Sequence, residues 1–363
     1  MPDPRRRCLI VQAEPRHEET LPSMVDAALR AGYRPTVVMS VRSLRRRGDI
    51  FTAVPGLDVE IIYDDFGDHG SEERGLGRLN ALARESAFVL MNSFNRRWSV
   101  EWSMALSGPV LLVLHNVDDF LANPAHKLAM DNPKVQLITL APHVMTEVIA
   151  RIGKAQMDRV DVVEPCLWTA GEPEPKPGLP RRVALPGAVS RRTRDYPGLL
   201  QAISENPQAF DGHRFVIGSG GGDRAWIETE VQERGLSPWF EFLPITGGDV
   251  SQDAYIASLA ACQVMLSLIP ADFEKYQRVK ITSAVPSSVG FAVPLIMDRW
   301  SAACYRAPLL ATDHGTRASL DRLLSLSEAD LQDHRAALIT YRRERLAQNG
   351  QALERLAARA EKA

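Results

Sequence analysis

The sequence predicts an α/β protein made of two doubly wound halves and a C-terminal helix. Strand-like apolar runs alternate with helix-like segments from Arg7 to Val163. The alternation stops in a proline-rich stretch at 172–180, EPEPKPGLP, and restarts at Arg182. The tail from Leu320 to Lys362 has a helical apolar period. A length of 363 residues suits two such domains.

Composition narrows the class of protein. Apolar residues make up 45% of the chain and charged residues 24%, as in an ordinary globular protein. The formal net charge of -2 gives no global basic field for nucleic acid. The four cysteines are scattered, and Cys8 and Cys262 lie in apolar runs, which predicts buried free thiols and a reducing compartment. Because the apolar run near the N-terminus is too short for a signal sequence, we expect a cytoplasmic protein.

The first half opens with a predicted βαβ unit. A strand at Arg7–Gln12 is followed by a helix at Leu21–Ala31, which ends at a glycine, and by a strand at Tyr33–Ser40. The remaining predicted strands of this half are Val59–Tyr63, Ala87–Asn92, Pro109–Leu114, Val135–Leu140 and Val160–Val163, with helices at Arg78–Ala83 and Pro142–Ile152. The segment at 64–77 is predicted to be a polar loop, and the segment at 92–102 is predicted to be exposed.

The first strand-to-helix turn, QAEPRHEET, lacks a glycine fingerprint. A dinucleotide held there in the usual way is therefore not expected. The turn instead places Glu14, His17, Glu18 and Glu19 at a strand's carboxyl end, where they are candidates for binding a hydroxylated substrate or acting as a general base. The alternative is that Glu18 and Glu19 only favour a helix N-terminus.

A histidine and two aspartates follow the almost purely apolar strand PVLLVL. His115 comes directly after it, with Asp118 and Asp119 close behind. Because ligands bind at the carboxyl ends of buried parallel strands, His115 and Asp119 are candidate catalytic residues. A structural role for His115 is an equal alternative.

The segment RSLRRR at 42–47 is a compact basic run. Such a run is usually a solvated loop. The alternative is peripheral contact with an anionic membrane surface at the inner face of the membrane, or with an acidic acceptor, because each basic residue near lipid contributes about 1 kcal/mol.

In the second half, strands are predicted at Arg182–Leu185, Phe215–Ile217, Phe240–Leu243 and Val264–Ile269, and helices at Leu199–Ile203, Glu228–Arg234 and Tyr255–Ala261. The first turn of this half, PGAVSRRTRDYPG, carries Arg191, Arg192 and Arg194. The run GSGGG at Gly218–Gly222 does not have the order of a dinucleotide fingerprint, and it predicts a tight turn or a close approach of the backbone to a ligand.

The stretch Phe273–Met297 is the most informative one. It contains Lys280 and a set of small hydroxyl residues, and it ends in a predicted strand at Val293–Met297. A helix that opens with hydroxyl groups and backbone N–H groups suits an anion, which predicts a phosphate-bearing ligand near Lys280, Thr282 and Ser283. The alternative is a solvated lysine and serines that only cap a helix.

Together these features resemble the GT-B glycosyltransferases, in particular family 4, also called group 1. RRVALPGAVSRRTRDYPGLLQAI at 181–203 is similar to that family's strand, G-R-x-x-x-x-K-G and helix segment. The resemblance implies two Rossmann-like domains. These are an acceptor-binding domain at 1–170 and a nucleotide-sugar-binding domain at 182–335, joined by a linker at 171–181. A C-terminal helix at 336–363 can cross back to the first domain in this architecture.

The resemblance also implies roles for individual residues. Arg194 falls on the family lysine that holds the donor diphosphate, and the family arginine falls on Ala188, so that Arg191 or Arg192 would replace it. Ser287 falls on the second glutamate of the E-x7-E pair and Val279 on the first, so the pair is absent, with Glu274 and Lys280 as shifted substitutes. The complete implied donor-binding set is Ser190, Arg191, Arg194, Gly218, Gly220, Glu274, Tyr276, Lys280, Thr282, Ser283 and Ser287. The candidate catalytic set is His115, which matches the family histidine, together with Glu14 and Asp119, which are candidates from their positions after strands.

The implied function is transfer of a sugar from a UDP- or GDP-sugar to a hydroxyl of a glycan, a lipid-linked acceptor or a small molecule, as in polysaccharide biosynthesis. We expect no metal and no cofactor, because protein cations and N–H groups can stabilise the diphosphate leaving group. An inverting enzyme would use Glu14, His17 or Asp119 as a base, whereas a retaining one would not need it. The alternatives are a sugar-nucleotide epimerase on the same double fold and a non-catalytic two-lobed binding protein.

Overall fold

The computed structural model describes residues 6–54, 56–66, 72–94, 97–166, 180–270 and 272–363. The chain divides into two compact units. Unit 1 comprises Met1–Leu167, Arg278–Ile281 and Glu344–Ala363, and unit 2 comprises Trp168–Gln277 and Thr282–Arg343. The predicted linker at 171–181 lies almost entirely outside the described residues.

Unit 1 contains a parallel sheet of seven described strands in the order β3-β2-β1-β4-β5-β6-β7. The strands are β1 (Arg6–Gln12), β2 (Tyr33–Ser40), β3 (Glu60–Asp64), β4 (Val89–Ser93), β5 (Val110–Leu114), β6 (Val135–Thr139) and β7 (Val160–Val162). The strand order reverses between β1 and β4, which creates a crevice at their carboxyl ends. All of β4 and β5 is buried, as expected for strands covered on both faces.

Seven helices among the described residues of unit 1 connect these strands. They are α1 (Leu21–Arg30), α2 (Val41–Arg47), α3 (Glu72–Arg84), α4 (Arg97–Ala105), α5 (Val117–Ala122), α6 (Pro124–Asp131) and α7 (Pro142–Ile152). The prediction of a loop at 42–47 is wrong, because Ser40 accepts a hydrogen bond from the N–H of Arg42 and caps a helix there. The exposure predicted for 92–102 is also wrong, since Val100 and Trp102 of α4 are buried.

Unit 2 contains a second parallel sheet, of six described strands in the order β10-β9-β8-β11-β12-β13. The strands are β8 (Arg181–Ala184), β9 (His213–Ile217), β10 (Phe240–Phe242), β11 (Val264–Leu266), β12 (Leu295–Asp298) and β13 (Leu310–Thr312). The order reverses between β8 and β11, so unit 2 has the same type of switch point as unit 1. The two predicted doubly wound halves are confirmed.

The core of unit 2 includes Phe215, Leu266 and Ile296 of the sheet together with Leu199, Ile227 and Leu323 of the helices. The described helices that lie wholly or partly in unit 2 are α8 (Tyr196–Glu205), α9 (Arg224–Glu233), α10 (Gln252–Ala260), α11 (Lys275–Arg278), α12 (Ala284–Phe291), α13 (Arg299–Ala302), α14 (Thr316–Ser325) and α15 (Glu328–Lys362).

The single helix predicted at 320–362 is two helices, α14 and α15, and the chain is extended at Leu326 between them. Residues of α15 up to Arg343 belong to unit 2, and those from Glu344 belong to unit 1. All of the predicted buried side chains of this tail are buried, namely Leu338, Tyr341, Leu346, Leu353 and Leu356.

Candidate functional site

A cavity of about 190 Å³ lies at the carboxyl ends of the central strands of unit 1. Its polar wall is formed by His17, His115, Asn116, Asp119 and Lys280. Its other lining residues are Phe94, Val113, Leu114, Phe120 and His126. The sequence-predicted residues His115 and Asp119 therefore lie in one cavity with His17.

The loop after β1 is held by a buried polar network. The amide of Gln12 donates to the carbonyls of Glu14 and Arg16, and its Oε1 accepts from Asn92 Nδ2. The Oδ1 of Asn92 accepts from Thr20 Oγ1 at 2.9 Å. Gln12, Thr20 and Asn92 are each 3% exposed or less, so these bonds form out of water, where an unmade bond is costly.

His17 adopts the left-handed conformation, with φ 69° and ψ 19°. This region costs a non-glycine residue about 1–2 kcal/mol. The carbonyl of His17 is held by three donors, which are Thr20 N at 3.2 Å, Thr20 Oγ1 at 2.8 Å and Asn92 Nδ2 at 3.2 Å. Backbone strain that is held in this way by its surroundings is typical of functional sites.

The two histidines of the cavity stack on each other. Their ring centroids are 3.9 Å apart with an interplanar angle of 11°. The Nε2 of His115 lies 2.7 Å from the carbonyl oxygen of Asn92. Because a carbonyl can only accept, Nε2 of His115 carries the hydrogen, and Nδ1 is left as an acceptor.

The electrostatic surroundings drive the pKa values of the two histidines apart. Burial and the neighbouring His17 lower the pKa of His115 to about 3, so that His115 is neutral at physiological pH. Burial also opposes the charge on His17, but Glu19 outweighs it, and the pKa of His17 is raised. The Nδ1 of His17 and Oε1 of Glu19 are 3.7 Å apart, and the pKa of Glu19 is lowered to about 2 despite its burial, chiefly by the interaction with His17.

The other predicted acids of unit 1 take different positions. Asp119 lines the cavity, and its Oδ2 accepts from Asn116 Nδ2 at 2.8 Å. Asp118 instead pairs with Arg151 at 2.8 Å. Glu14 is half-buried, and its backbone N–H donates to Ser93 Oγ. Glu18 is 2% exposed, its carboxylate oxygens have no hydrogen-bond partner in the described part of the chain, and burial raises its pKa.

Lys280 belongs to unit 1 and lines the histidine cavity. Its segment is fixed there because the N–H of Val117 donates to the carbonyl of Val279 at 2.9 Å, and His143 Nε2 lies 3.3 Å from the carbonyl of Lys280. Thr282 and Ser283, with which the sequence pattern grouped Lys280, belong to unit 2.

In unit 2 the loop after β8 meets the segment that leads into α12. Arg194 is 2% exposed, and its guanidinium donates to the carbonyls of Thr193 and Pro186 and to Thr282 Oγ1 at 3.2 Å. A Cβ on Gly187, which has φ 97°, would lie 2.6 Å from Ser283 Oγ and 2.9 Å from Arg194 Nη2. The structure thus brings Arg194, Thr282 and Ser283 together at the carboxyl end of the sheet.

The backbone N–H of Thr282 is already satisfied, since it donates to the hydroxyl of Tyr305 at 3.1 Å. Thr282 and Ser287 are both 0% exposed, and the Ser287 hydroxyl has no hydrogen-bond partner among the described residues. Ser283 is only partly buried and precedes the first residue of α12. Of the three hydroxyl residues, Ser283 is therefore the one whose side chain reaches the surface.

Arg191 and Arg192 are the exposed cations of this loop. The side chain of Arg191 is 51% exposed, its Nε donates to Asp223 Oδ1 at 3.0 Å, and its guanidinium stacks on the ring of Trp226 at 4.6 Å. Its backbone N–H also donates to Asp223, and Asp223 precedes α9, so the loops after β8 and β9 are tied together.

The glycine run after β9 makes a close approach to another part of the protein. Gly221 has φ 149°, and a Cβ on it would lie 2.3 Å from the carbonyl oxygen of Val189. The carbonyl of Gly220 accepts from Val189 N, and Gly218 packs against Tyr255. The neighbour in this close approach is the loop after β8, and the predicted approach of this backbone to a ligand stays a prediction.

The remaining predicted donor-binding residues lie in unit 2. The ring of Tyr276 lies beneath the Arg194 guanidinium at 5.5 Å, and Glu274 is exposed. Ser190 is partly buried, and its carbonyl accepts from the N–H groups of Thr193 and Arg194, which shapes the turn.

Sequence reasoning missed the residues that position this machinery. Asn92 and Thr20 were not singled out, although Asn92 lies near the carboxyl end of a buried strand, which is the signal that identified His115. Arg224 was also missed. It is 4% exposed, and it bridges the carbonyls of Ile217, Ser219 and Leu243 after β9 and β10.

In the described parts of the chain, no group of three or more His, Cys, Asp or Glu side chains is arranged to hold a metal ion. None of the described helices is both long and apolar enough to span a bilayer. All four cysteines are free, and Cys8 and Cys262 are buried as predicted.

The fold is shared with solved structures of low sequence identity. HepE from Anabaena, in complex with UDP and glucose, has a TM-score of 0.63 and 13% identity, with 96% of this chain and 98% of HepE covered. A glycosyltransferase from Rickettsia africae has a TM-score of 0.63 and 10% identity, with 98% and 99% covered. A UDP-GlcNAc 2-epimerase from Neisseria meningitidis, bound to UDP-GlcNAc, has a TM-score of 0.55 and 10% identity, with 98% and 100% covered.

No protein-family profile and no curated protein sequence matches the chain. The structural similarity therefore shows the fold, which is the GT-B fold of two Rossmann-like domains with a C-terminal helix.

Proposed function

From the GT-B fold and its two switch points, we propose that the protein is a glycosyltransferase that moves a sugar from a nucleoside diphosphate to a hydroxyl acceptor. The observation that carries the proposal is the meeting of Arg194, Thr282 and Ser283 at the carboxyl end of the unit 2 sheet. Phosphates bind where helix N-termini, small residues and cations come together. The solved GT-B neighbours that hold UDP support the same assignment.

The diphosphate would be bound by the more accessible groups around this point, which are Arg191, Ser190 and Ser283. Arg194 would support this site from the protein interior, because its guanidinium is buried and its hydrogen bonds hold Pro186 and Thr282 in place. Bidentate and charge-assisted bonds from arginine are the strongest neutral-pH contacts to phosphate. Such groups can stabilise the departing nucleoside diphosphate, so we propose a metal-independent reaction.

In unit 1, His115, Asp119 and Glu14 remain the proposed catalytic residues; His115 and Asp119 line the cavity together with His17, whereas Glu14 is not among its lining residues. Since His115 is neutral and its Nε2–H is engaged by Asn92, it can accept a hydrogen bond at Nδ1 from a sugar hydroxyl. A cavity of about 190 Å³ lined by aromatic and polar side chains is suited to a sugar-sized group.

Binding is the first test. Isothermal titration calorimetry with UDP and GDP should give a saturable signal, and Arg191→Ala should weaken it about tenfold through loss of a charge-assisted contact. Arg234→Ala is the matched control, because Arg234 also pairs with a carboxylate of its own unit but lies after α9, at the opposite end of that helix from Asp223. Equal affinities for the wild type and Arg191→Ala would contradict the phosphate assignment. Turnover that is lost in EDTA would contradict metal independence.

A sugar-nucleotide epimerase is the second candidate, favoured by the fold similarity to UDP-GlcNAc 2-epimerases. Such an enzyme binds the same donor and needs acid–base residues but no acceptor. Incubation with UDP-GlcNAc, followed by NMR of the products, separates the two candidates. A new epimer in the absence of an acceptor supports the epimerase, whereas nucleoside diphosphate release that depends on an acceptor supports the transferase.

We further propose that the acceptor is a glycan or a lipid-linked saccharide and that basic residues of α2 contact anionic lipid. Arg42 and Arg45 are the exposed arginines of this helix. The double variant Arg42→Glu, Arg45→Glu should lose sedimentation with phosphatidylglycerol vesicles. Unchanged sedimentation would dismiss the membrane contact and leave the transferase proposal intact.

A further inference from the structure

The polar network beneath the histidine cavity has a specific arrangement that the candidate catalytic residues alone do not explain. Asn92 forms hydrogen bonds through the nitrogen and the oxygen of its side-chain amide and through its backbone carbonyl. Its Nδ2 donates to the carbonyl of His17, its Oδ1 accepts from Thr20, and its backbone carbonyl accepts from Nε2 of His115. One buried residue is therefore bonded to both stacked histidines.

We propose that Asn92 and Thr20 are positioning residues: together they hold His17 in the left-handed conformation against His115, so that the edge of the His17 ring can accept the proton of the acceptor hydroxyl. This inference rests on the proposed transferase function for its chemical consequence. The positioning itself can be measured without turnover.

The left-handed conformation of His17 is the first step of the argument. It is unfavourable for a β-carbon-bearing residue, and the three bonds to its carbonyl offset the cost. Two of these contacts come from Thr20 and one from Asn92. The single hydrogen of the Thr20 hydroxyl lies within reach of both the His17 carbonyl and Asn92 Oδ1 and is shared between them, so removing the hydroxyl weakens the support of both groups.

The second step concerns the position of the His17 ring. In the observed conformation it stacks on His115 at 3.9 Å and places Nδ1 3.7 Å from Glu19. The side chain of His17 is 38% exposed and lines the cavity. A carboxylate beside Nδ1 stabilises the imidazolium form, which leaves Nε2 as the site of proton uptake.

In the reaction, the O–H bond of the acceptor breaks and its proton binds to Nε2 of neutral His17. The acceptor oxygen forms a bond to the anomeric carbon of the donor. The bond from that carbon to the phosphate oxygen breaks, and its electron pair leaves with the nucleoside diphosphate. A base on the acceptor oxygen belongs to direct displacement, so this assignment implies inversion of the anomeric configuration.

Several charged groups surround His17, and each acts on its protonation. Burial disfavours the charged ring, whereas Glu19, Glu18 and Glu14 favour it. Arg46 and Arg47 of α2 favour the ionised form of Glu18, and Arg47 also favours that of Glu19, so they help to keep these carboxylates negatively charged beside His17. His115, Asp119, His126 and Lys280 share the cavity. Glu19 is the partner that a rotation of His17 would lose first, since it is both closest and the largest favourable contribution.

The test is histidine NMR on the full chain, which has eight histidines. With ring-labelled histidine, the Thr20→Val variant should lower the pKa of His17 by about one unit, because the ring leaves Glu19. Thr20→Ser, which restores the hydroxyl, should return the pKa to the wild-type value. His17→Gln and His115→Gln variants assign the two signals.

Thr36→Val is the matched control, because Thr36 is also buried in unit 1 and donates its hydroxyl hydrogen to Glu60, away from the histidines. It should leave both histidine signals unchanged. A pKa of His17 that does not move in Thr20→Val would overturn the proposal. If Thr20→Val does not fold, Thr20→Ala provides the same comparison without added bulk.

The wild-type spectrum is an independent check, since the proposal requires His115 to carry its hydrogen on Nε2. A spectrum showing the Nδ1–H tautomer would overturn it. If a transferase assay is established, Thr20→Val should lower kcat at a nearly unchanged KM for the donor. A shifted His17 pKa in a protein without transferase activity would reject the proposed function but not the positioning.

Discussion

The neighbours of His115 determine both the tautomer and the charge of its imidazole ring. The carbonyl of Asn92 fixes its tautomer, and the adjacent His17 together with burial suppresses its charge. A neutral, oriented imidazole is useful for hydrogen bonding to a sugar hydroxyl. The same features make the folded state sensitive to acid, because protonation of this ring is favourable only after unfolding.

The sign of that sensitivity follows from proton binding. Between about pH 3 and the ordinary histidine pKa near 6.5, the unfolded chain binds a proton at His115 and the folded chain does not. The free energy of unfolding should therefore fall as the pH falls through this window, by at most about 1.4 kcal/mol per pH unit from this group. His115→Gln should flatten the acid limb of urea-unfolding midpoints measured from pH 7 to pH 4. His334→Gln is the control variant, since His334 lies on α15 in unit 2. If the midpoints of the wild type and His115→Gln fall equally between pH 7 and pH 4, the lowered pKa of His115 is refuted.

At the scale of elements, the loops after the strands determine the site. The loop after β8 and the glycine loop after β9 are in backbone contact at Val189 and Gly221. The sequence predicted a close approach at the glycine run, because five glycine and serine residues after a strand favour it. It could not predict the neighbour, since the contact depends on how β8 and β9 pair in the sheet.

Adjacent glycines provide a sharp test of this contact. Gly221→Ala would place a Cβ 2.3 Å from the Val189 carbonyl oxygen at a positive φ, so we expect a loss of about 3 kcal/mol in the free energy of unfolding. A Cβ on Gly222 meets no atom within 4 Å, and Gly222→Ala should change stability by less than about 0.5 kcal/mol. Urea unfolding of both variants measures the difference. Similar midpoints for the pair would show that the loops are not in contact.

Sequence reasoning was most accurate for strands and least accurate for polar segments. Runs such as Pro109–Leu114 have one stable outcome, because an apolar strand must be covered on both faces. The prediction of a loop for the basic run at 42–47 and the prediction of exposure for the segment at 92–102 are both wrong. In both cases, tertiary packing of a few side chains, such as Val100 and Trp102, outweighs a polar local composition.

The positions of the candidate residues were also predictable where they depend on strand ends and not where they depend on tertiary contacts. The strand-end argument correctly brought His115 and Asp119 into a cavity, whereas the pattern around Thr282 grouped it with Lys280 and did not predict its contact with Arg194. The grouping of Lys280 with the histidines was not predictable, because it depends on hydrogen bonds between segments that lie more than 130 residues apart in sequence. The roles of these residues remain predictions.

At the scale of the whole molecule, nucleotide binding and proton transfer are assigned to different units. We expect UDP to slow amide hydrogen exchange in the unit 2 loops at 186–195, 218–223 and 282–288, because a bound ligand stabilises the backbone it contacts. The loop after β1 should change less when no acceptor is present. Exchange measured by mass spectrometry with and without UDP tests this, and protection confined to unit 1 would contradict the division of roles.

The four residues Arg278–Ile281 have a practical consequence for dissecting this protein. A fragment that ended at residue 167 would retain the histidines but would lack Lys280 and the carbonyl of Val279, which caps the start of α5. It would also lack the second part of α15, whose Asn349 pairs with the backbone of Glu164. Unit 1 is therefore discontinuous in the gene, and cutting the chain at the proline-rich segment would produce an incomplete body rather than a minimal acceptor domain.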